Sequence, residues 1–402
     1  MLGWELPPHN SGGLGVACYQ MCKHLALKGV EIDFVLPYRA EHSVKFMKIH
    51  GALPVQAEQL ANLGGAYDSY CYECSTDECE HSWPCDLRGQ QQRYTKFVRQ
   101  LVQSTEYDAV HAHDWLTFEA GIQAKQLSGK PLIAHVHATE FDRSGEHSGN
   151  PLVHEIEYNG LMMADRVLAV SKFTKDLIVR EYSIPADKIE VVHNSVDPSE
   201  FGELDPHNAY VYLEQMKRRG HKVVVSVGRL TVQKGFTYLL KAAQRVVEKN
   251  PKVFFLIVGD GEQRDELLMQ AAELGIAHNV LFTGFVRGKQ WRDAYAIGDM
   301  FVMSSVAEPF GLTALEAAAH HNAVLLTKQA GVGEVLHSVM RFDFWDTDKL
   351  ANEILTITQY DHLQQLMADN AWYEFQHLSW HKAADYCKNL YQQVATKEGA
   401  RA

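Results

Sequence analysis

"KVVVSVGRLTVQKGFTYLLKAAQRVVEKNPKVFFLIVG", residues 222–259, holds two short apolar runs on either side of one amphipathic stretch. The outer runs, "KVVVSVG" (222–228) and "VFFLIVG" (253–259), are rich in Val and Phe and have the length of buried strands. Between them Phe236, Leu239, Leu240, Ala243, Val246 and Val247 fall on one helical stripe, which Asn250-Pro251 ends. Strand, helix, strand in this order predicts a parallel sheet covered by helices.

The alternation continues on both sides. "NVLFTGF" (279–285), "MFVMSS" (300–305) and "AVLLTK" (323–328) extend it towards the C-terminus. In the first half "EIDFVLP" (31–37), "DAVHAH" (108–113), "PLIAHVHA" (131–138), "RVLAVS" (166–171) and "IEVVHN" (189–194) are the strand candidates. Helical stretches lie near 13–28, 90–104, 116–127, 151–164 and 172–182. Residues 38–89 break the rhythm and read as a long, partly irregular insertion. "NSVDPSEFGELDPH" (194–207), polar and proline-bearing, reads as a linker. The class is α/β, with two similar domains and a ligand expected in a central cleft at the carboxyl ends of the strands.

The totals agree. A chain of 402 residues is too long for one ordinary core. A net charge of −12 argues against a general nucleic-acid binder. No apolar run approaches the roughly 18–20 residues of a membrane helix. No basic segment precedes an apolar one at the start, and seven cysteines in so long a chain suit a reducing cytoplasm, so a cytoplasmic location is expected.

Three stretches carry chemistry. In "SSVAEPFGLTALEAAAHHNAVLL" (304–326) a strand ends, Pro309 and Gly311 shape a tight loop, and a helix begins near Leu312. Backbone N–H groups at Gly311, Leu312 and Thr313 would face an anion. Glu316, one turn on, suits sugar hydroxyls better than phosphate, and Glu308 sits on the loop before the turn. The plainer alternative is a capped helix with surface acids. In "SVGRLTVQKGF" (226–236) Arg229 and Lys234 follow a strand and suit a diphosphate leaving group, or are simply solvated bases. In "HVHATEFDRSGEHSG" (135–149) His135 and His137 share one face of a strand, a spacing that metal sites can use.

The Glu, the Pro-Phe-Gly and the second Glu eight positions on resemble the signature of retaining GT-B glycosyltransferases. Over nearly its whole length the chain resembles the glycogen-synthase-like members of glycosyltransferase family four. The resemblance implies two Rossmann-like domains, 1–200 and 201–375, with parallel sheets facing a central cleft, and a helix within 376–402 crossing back to the first. It implies a nucleotide-diphosphate sugar (UDP-, ADP- or GDP-hexose) held mostly by the second domain, and no metal ion or cofactor. Residue by residue, Glu308 would contact the donor sugar, Glu316 the ribose, Arg229 and Lys234 the pyrophosphate, and "TGFV" (283–286), with Phe285, the base. His137 matches a histidine that meets the sugar hydroxyls. "VHAHDW" (110–115) resembles a cleft segment in which His113 and Asp114 either seat a substrate or satisfy the core. "SGGLG" (11–15) resembles the first-domain glycine loop, where Gly12 and Gly13 let backbone amides approach the diphosphate, a plain turn being the alternative.

The chain departs from the pattern in two places. "HHNAV" (320–324) stands where the family usually has Gly-x-Pro, which bears on the helix exit. Relatives carry several apolar residues before "MLGWE", so the central first strand is expected to be short, a segment within Met1–Trp4, and the chain start trimmed. Outside the pattern, Cys71, Cys74, Cys79 and Cys85 with His81 have a knuckle-like spacing, but free thiols are the expectation over a structural zinc.

The reading is a retaining glycosyltransferase moving a hexose, glucose first, to a glycan or other hydroxyl acceptor, an α-glucan among them. The rivals are a sugar-nucleotide epimerase of the same fold and a non-catalytic nucleotide- or glycan-binding protein.

Overall fold

The computed structural model describes residues 1–9, 12–52, 87–145, 149–198 and 201–399. The chain forms two units, Met1–Asn194 with Trp380–Ala402, and Ser195–Ser379.

The first unit runs α1 (Gly13–Leu27), β1 (Asp33–Leu36), β2 (Lys48–Gly51), α2 (Leu87–Leu101), β3 (Val110–His113), α3 (Trp115–Ser128), β4 (Leu132–Val136), α4 (Glu140–Ser144), α5 (Pro151–Met163), β5 (Arg166–Ala169), α6 (Lys172–Tyr182) and β6 (Ile189–Val191). β3-β4-β5-β6 form one parallel run and β1-β2 another. Every residue of β3 and β4 is buried, as expected of strands covered on both faces. Leu2 closes the gap between the two runs. It bridges Val35 on β1 and Ala112 on β3, its N–H donates to His111 O (2.7 Å), and its carbonyl accepts from His113 N (3.0 Å). The short first strand is thus reduced to one bridging residue. Beside it Gly3 is obligatory, since a Cβ there would stand 2.3 Å from the Phe34 ring.

The second unit runs α7 (Val211–Arg218), β7 (Lys222–Val227), α8 (Phe236–Lys249), β8 (Val253–Val258), α9 (Arg264–Glu273), β9 (Val280–Phe282), α10 (Gly288–Ala296), β10 (Met300–Met303), α11 (Leu312–Ala319), β11 (Ala323–Thr327), β12 (Met340–Phe342), α12 (Thr347–Gln359) and α13 (Asp361–Gln376). Its six strands are parallel in the order β12-β11-β10-β7-β8-β9. The chain builds outward from β7 in one direction and from β10 in the other, so the topological switch point lies between β7 and β10. The stripe on α8 is buried as its spacing predicts: Phe236, Leu239, Leu240, Ala243 and Val246 enter the core, with Val247 at its margin.

The chain ends in α14 (Trp380–Gly399), which belongs to the first unit. Trp380, Ala384, Cys387 and Leu390 join that unit's core, and α14 is pinned to α1 by Lys28–Asp385 (2.6 Å) and by Lys388 Nζ donating to Lys28 O (2.6 Å). Among the described residues no helix is long and apolar enough to cross a membrane. Cys71, Cys74, Cys79, Cys85 and His81 lie outside the described residues, as does Ser11 of the glycine loop.

Candidate functional site

In the second unit the loops that leave β7, β8 and β10 are bolted together by their backbones. Gly228 N donates to Val258 O (3.0 Å), Leu230 N to Asp260 O (3.0 Å), and Val306 N to Gln233 O (2.8 Å). Two glycines allow this closeness. Gly259 has φ 137°, and a Cβ there would sit 1.9 Å from Gly228 O; Gly235 has φ 67°, and its Cβ would meet Ser304 O at 2.1 Å. The side chains repeat the stitching: Gln233 Nε2 donates to Ala307 O (3.0 Å) and Ser304 Oγ to Lys234 O (3.0 Å).

At the switch point this framework brings two of the expected site residues together. Lys234 Nζ stands 2.6 Å from Glu308 Oε2, and Ser305 Oγ donates to the same oxygen (3.1 Å). Glu308 is itself fixed along the backbone. Its N–H donates to Gln329 O, its carbonyl accepts from Gly331 N, and it forms a β-bridge with Ala330. Arg229, on the same loop as Lys234, is exposed.

Gly311 takes φ 112° between Met303 and Val332, and α11 starts at the next residue. Leu312 and Thr313 are half-buried in its first turn, where helix N–H groups precede the first internal hydrogen bonds. Glu316 lies one turn in, and Tyr295 Oη donates to its Oε2 (2.6 Å). The departure at 320–324 closes the helix by side chains: His320 Nδ1 bonds Glu316 O (2.8 Å), His321 takes φ 55°, and Asn322 Nδ2 donates to Tyr295 O (3.0 Å). Phe285, after β9, is 61% exposed, with the Arg287 guanidinium 4.8 Å over its ring. It is an open aromatic face of the kind that stacks on a base.

In the first unit β3 and β4 end side by side, and Asp114 ties their exits. Its backbone is unusual, φ 58° and ψ 172°, in a region that non-glycine residues rarely enter. Its N–H donates to His135 O (2.9 Å), and its Oδ1 accepts from His137 N (2.6 Å) and Ala138 N (3.4 Å). Burial pushes the Asp114 carboxyl up to about 7, against the pull of those N–H groups and of Arg143. His113 Nδ1 meets His137 Nε2 at 3.0 Å, and burial holds His137 down to about 3, so both imidazoles are neutral at pH 7. Gly12 precedes α1 with φ −76°, and a Cβ on it would stand 2.8 Å from Glu5 Oε2; Gly13, the first residue of α1, faces open space.

Several residues that matter here have no local signal in the sequence. Tyr295 precedes Glu316 by 21 positions. Arg143 braces the segment after His137 by donating to Ala138 O (3.1 Å), Glu140 (3.1 Å) and Glu157 (2.5 Å), while the Tyr182 hydroxyl donates to Glu157. His111 joins His135 Nδ1 (3.2 Å) to Tyr391 Oη (2.6 Å) on α14. Only geometry reveals these pairings.

Residues 11–200 match the Glycosyltransferase Family 4 domain, and residues 214–371 the domain described as Glycosyl transferases group 1. The chain belongs to the glycosyltransferases of family four. An uncharacterized glycosyltransferase of Methanocaldococcus jannaschii is 27% identical, over 98% of this chain and 97% of its own. The glycogen synthase of Mycobacterium tuberculosis is 26% identical, over 84% of this chain and 79% of its own. Among solved structures, sucrose-phosphate synthase from Thermosynechococcus elongatus superposes with a TM-score of 0.77 at 19% identity, over 98% of this chain and 96% of that one. Anabaena HepE in complex with UDP and glucose superposes with a TM-score of 0.71 at 19% identity, over 97% and 98%. The fold is therefore GT-B, and this family-four enzyme is glycogen-synthase-like.

Proposed function

We propose that this glycosyltransferase moves a hexose, glucose first, from a nucleoside-diphosphate sugar to a carbohydrate hydroxyl, with retention of anomeric configuration and without a metal ion. The observation that carries the reading is the Lys234–Glu308–Ser305 cluster, set by two loops at the switch point beside the start of α11. A cation fixed by a carboxylate at a strand's carboxyl end suits a diphosphate whose charge grows as the glycosidic bond breaks.

In this mechanism Arg229, Lys234 and the amides of Gly311, Leu312 and Thr313 stabilise the departing diphosphate. Glu308 orients Lys234 and faces the sugar. Glu316, held by Tyr295, takes the ribose hydroxyls, and Phe285 packs on the base. His137, braced by Asp114 and His113, serves the sugar hydroxyls, and Gly12 and Gly13 the phosphates. The acceptor attacks from the face that the diphosphate leaves and passes its hydroxyl proton to the departing diphosphate oxygen as the new bond forms. The mycobacterial glycogen synthase supports an α-glucan acceptor, and the HepE complex supports a uridine nucleotide.

The test is turnover of UDP-, ADP- and GDP-hexoses with and without malto-oligosaccharides, followed by NMR of the new anomeric bond. Release of nucleoside diphosphate only with acceptor, and an α-linked product from an α-donor, is the expected result. Consumption of donor without acceptor indicates an epimerase instead, and binding without turnover a non-catalytic protein.

A further inference from the structure

Four imidazoles and one thiol crowd the ends of β3 and β4. The register sets His113 beside His135, and the alternation of the strands puts His111, His113, His135 and His137 on one face. The rings stack along each strand, with centroids 4.4 Å apart for His111–His113 and 4.3 Å for His135–His137. Cys18, in the second turn of α1, lies against this face. One ligand atom from each of Cys18, His113 and His137 lies within 4.8 Å of the other two. His113 Nε2, His135 Nε2 and Asp114 Oδ2, all buried, have no hydrogen-bond partner among the described residues.

Hydrogen bonding between neutral imidazoles uses up part of this cluster, but it leaves those three atoms unexplained. It also gives no reason for a thiol beside two histidines. We propose that Cys18, His113 and His137 form a site for a thiophilic transition-metal ion of the zinc class, and that filling the site switches transfer off by withdrawing His137 from the donor sugar. The second half rests on the reading of His137 given above.

Tetrahedral bonds of about 2.0–2.3 Å put ligand atoms about 3.3–3.8 Å apart, so atoms within 4.8 Å of one another need move together by no more than about 1.5 Å. Binding replaces the Cys18 S–H proton by the metal, and that proton passes to solvent. The thiolate offsets charge that would otherwise be buried uncompensated. This favours the Cys18 set over the neighbouring trio of His111, His113 and His135, which satisfies the same distance limit with no anionic ligand. Asp114, whose Oδ1 already accepts the His137 backbone N–H, fixes the chain that carries His137. His137 is 7% exposed and Cys18 and His113 at most 1%, so the ion enters on the His137 side.

The test is a cobalt(II) titration of the full chain carrying Cys71→Ser, Cys74→Ser, Cys79→Ser and Cys85→Ser, under reducing conditions. One equivalent should raise a near-ultraviolet thiolate-to-cobalt band. Cys18→Ser should abolish the band, His113→Gln should weaken cobalt at least tenfold, and His111→Gln should leave the band in place. Cys18→Ala is the second variant, with circular dichroism checking that each protein is folded. No band in the parent, a band that persists in both Cys18 variants, or a band lost in His111→Gln overturns the site. Zinc should inhibit transfer by the parent, and transfer by the Cys18→Ser enzyme should be insensitive to it. A cobalt band without zinc inhibition of an active enzyme overturns the switch alone. The spectrum reads the site even if no donor turns over, so the two readings fail separately.

Discussion

Lys234 Nζ and Glu308 Oε2, 74 positions apart in sequence, stand 2.6 Å from one another and link the loop after β7 to the loop after β10. The pair therefore fixes the ammonium between the two loops. Lys234→Ala should weaken nucleoside diphosphate binding about tenfold to a hundredfold, the loss of one charge-assisted hydrogen bond of roughly 1.5–3 kcal/mol. It also leaves the Glu308 carboxylate with Ser305. Adding Glu308→Gln to Lys234→Ala should then cost less binding than the two single changes summed. Calorimetry on the four proteins checks this, and unchanged affinity in Lys234→Ala removes Lys234 from the clamp.

Glu308 and Glu316 stand at one helix start but should separate in kinetics. Glu308→Gln keeps the shape and removes the charge, and is expected to lower kcat about a hundredfold to a thousandfold with a smaller change in donor binding. Glu316→Ala should mainly raise the donor KM. Tyr295→Phe removes the hydroxyl that holds Glu316 and should raise the same KM by about threefold to tenfold, with kcat nearly unchanged. Steady-state rates on the three variants decide it. Equal, small effects on both parameters throughout would mean a capped helix and no more.

Transfer is expected to persist in excess EDTA, because in the proposed mechanism Arg229, Lys234 and helix amides meet the donor's charge. The measurement is initial rate before and after chelation. Activity that stops and returns with magnesium or manganese refutes the metal-free mechanism.

Asp114 gives the first unit a pH dependence whose sign can be worked out. Its folded carboxyl titrates at about 7, raised by burial, whereas an unfolded aspartate titrates near about 3.9. Between these values the folded state holds a proton that the unfolded state has lost. The stability this confers is complete below the unfolded value and is lost as pH rises through 7. Asp114→Asn removes the effect. Relative to that variant, the parent should lose about 2 kcal/mol between pH 5 and pH 8. Urea unfolding of both proteins in metal-free buffer checks this, and parallel stability curves would show that Asp114 does not titrate in this range.

Much of the fold was legible because its elements are locally consistent. The α8 stripe and the strands around it carry the right period, and the glycines at 235 and 259 stand where the backbone needs them. What sequence missed is short or distant. β12 is three residues with an arginine at its centre, and β2 opens with an exposed lysine, so neither makes an apolar run. The candidate site divides in the same way. Lys234, Glu308, Glu316 and His137 stand out by type and position. Ser305 and Tyr295, which bond Glu308 and Glu316, do not, nor do Arg143, which braces Ala138 and Glu140, and His111, which bonds His135, because these hydrogen bonds are made by chain folding and leave no periodic trace. The sequence marks Gly12 as a place for phosphate, while the protein atom it must make room for is Glu5 Oε2.

The docking of α14 on α1 also orders events at the ribosome. Met1–Asn194 lacks part of its core until Trp380, Ala384, Cys387 and Leu390 have emerged. By then the whole of Ser195–Ser379 has been made. The nascent chain therefore carries its older unit unfinished while its younger unit can already fold, and the face of α1 that α14 covers waits until α14 emerges. A stop codon or proteolytic cut near residue 380 would damage the part of the protein that was synthesised first.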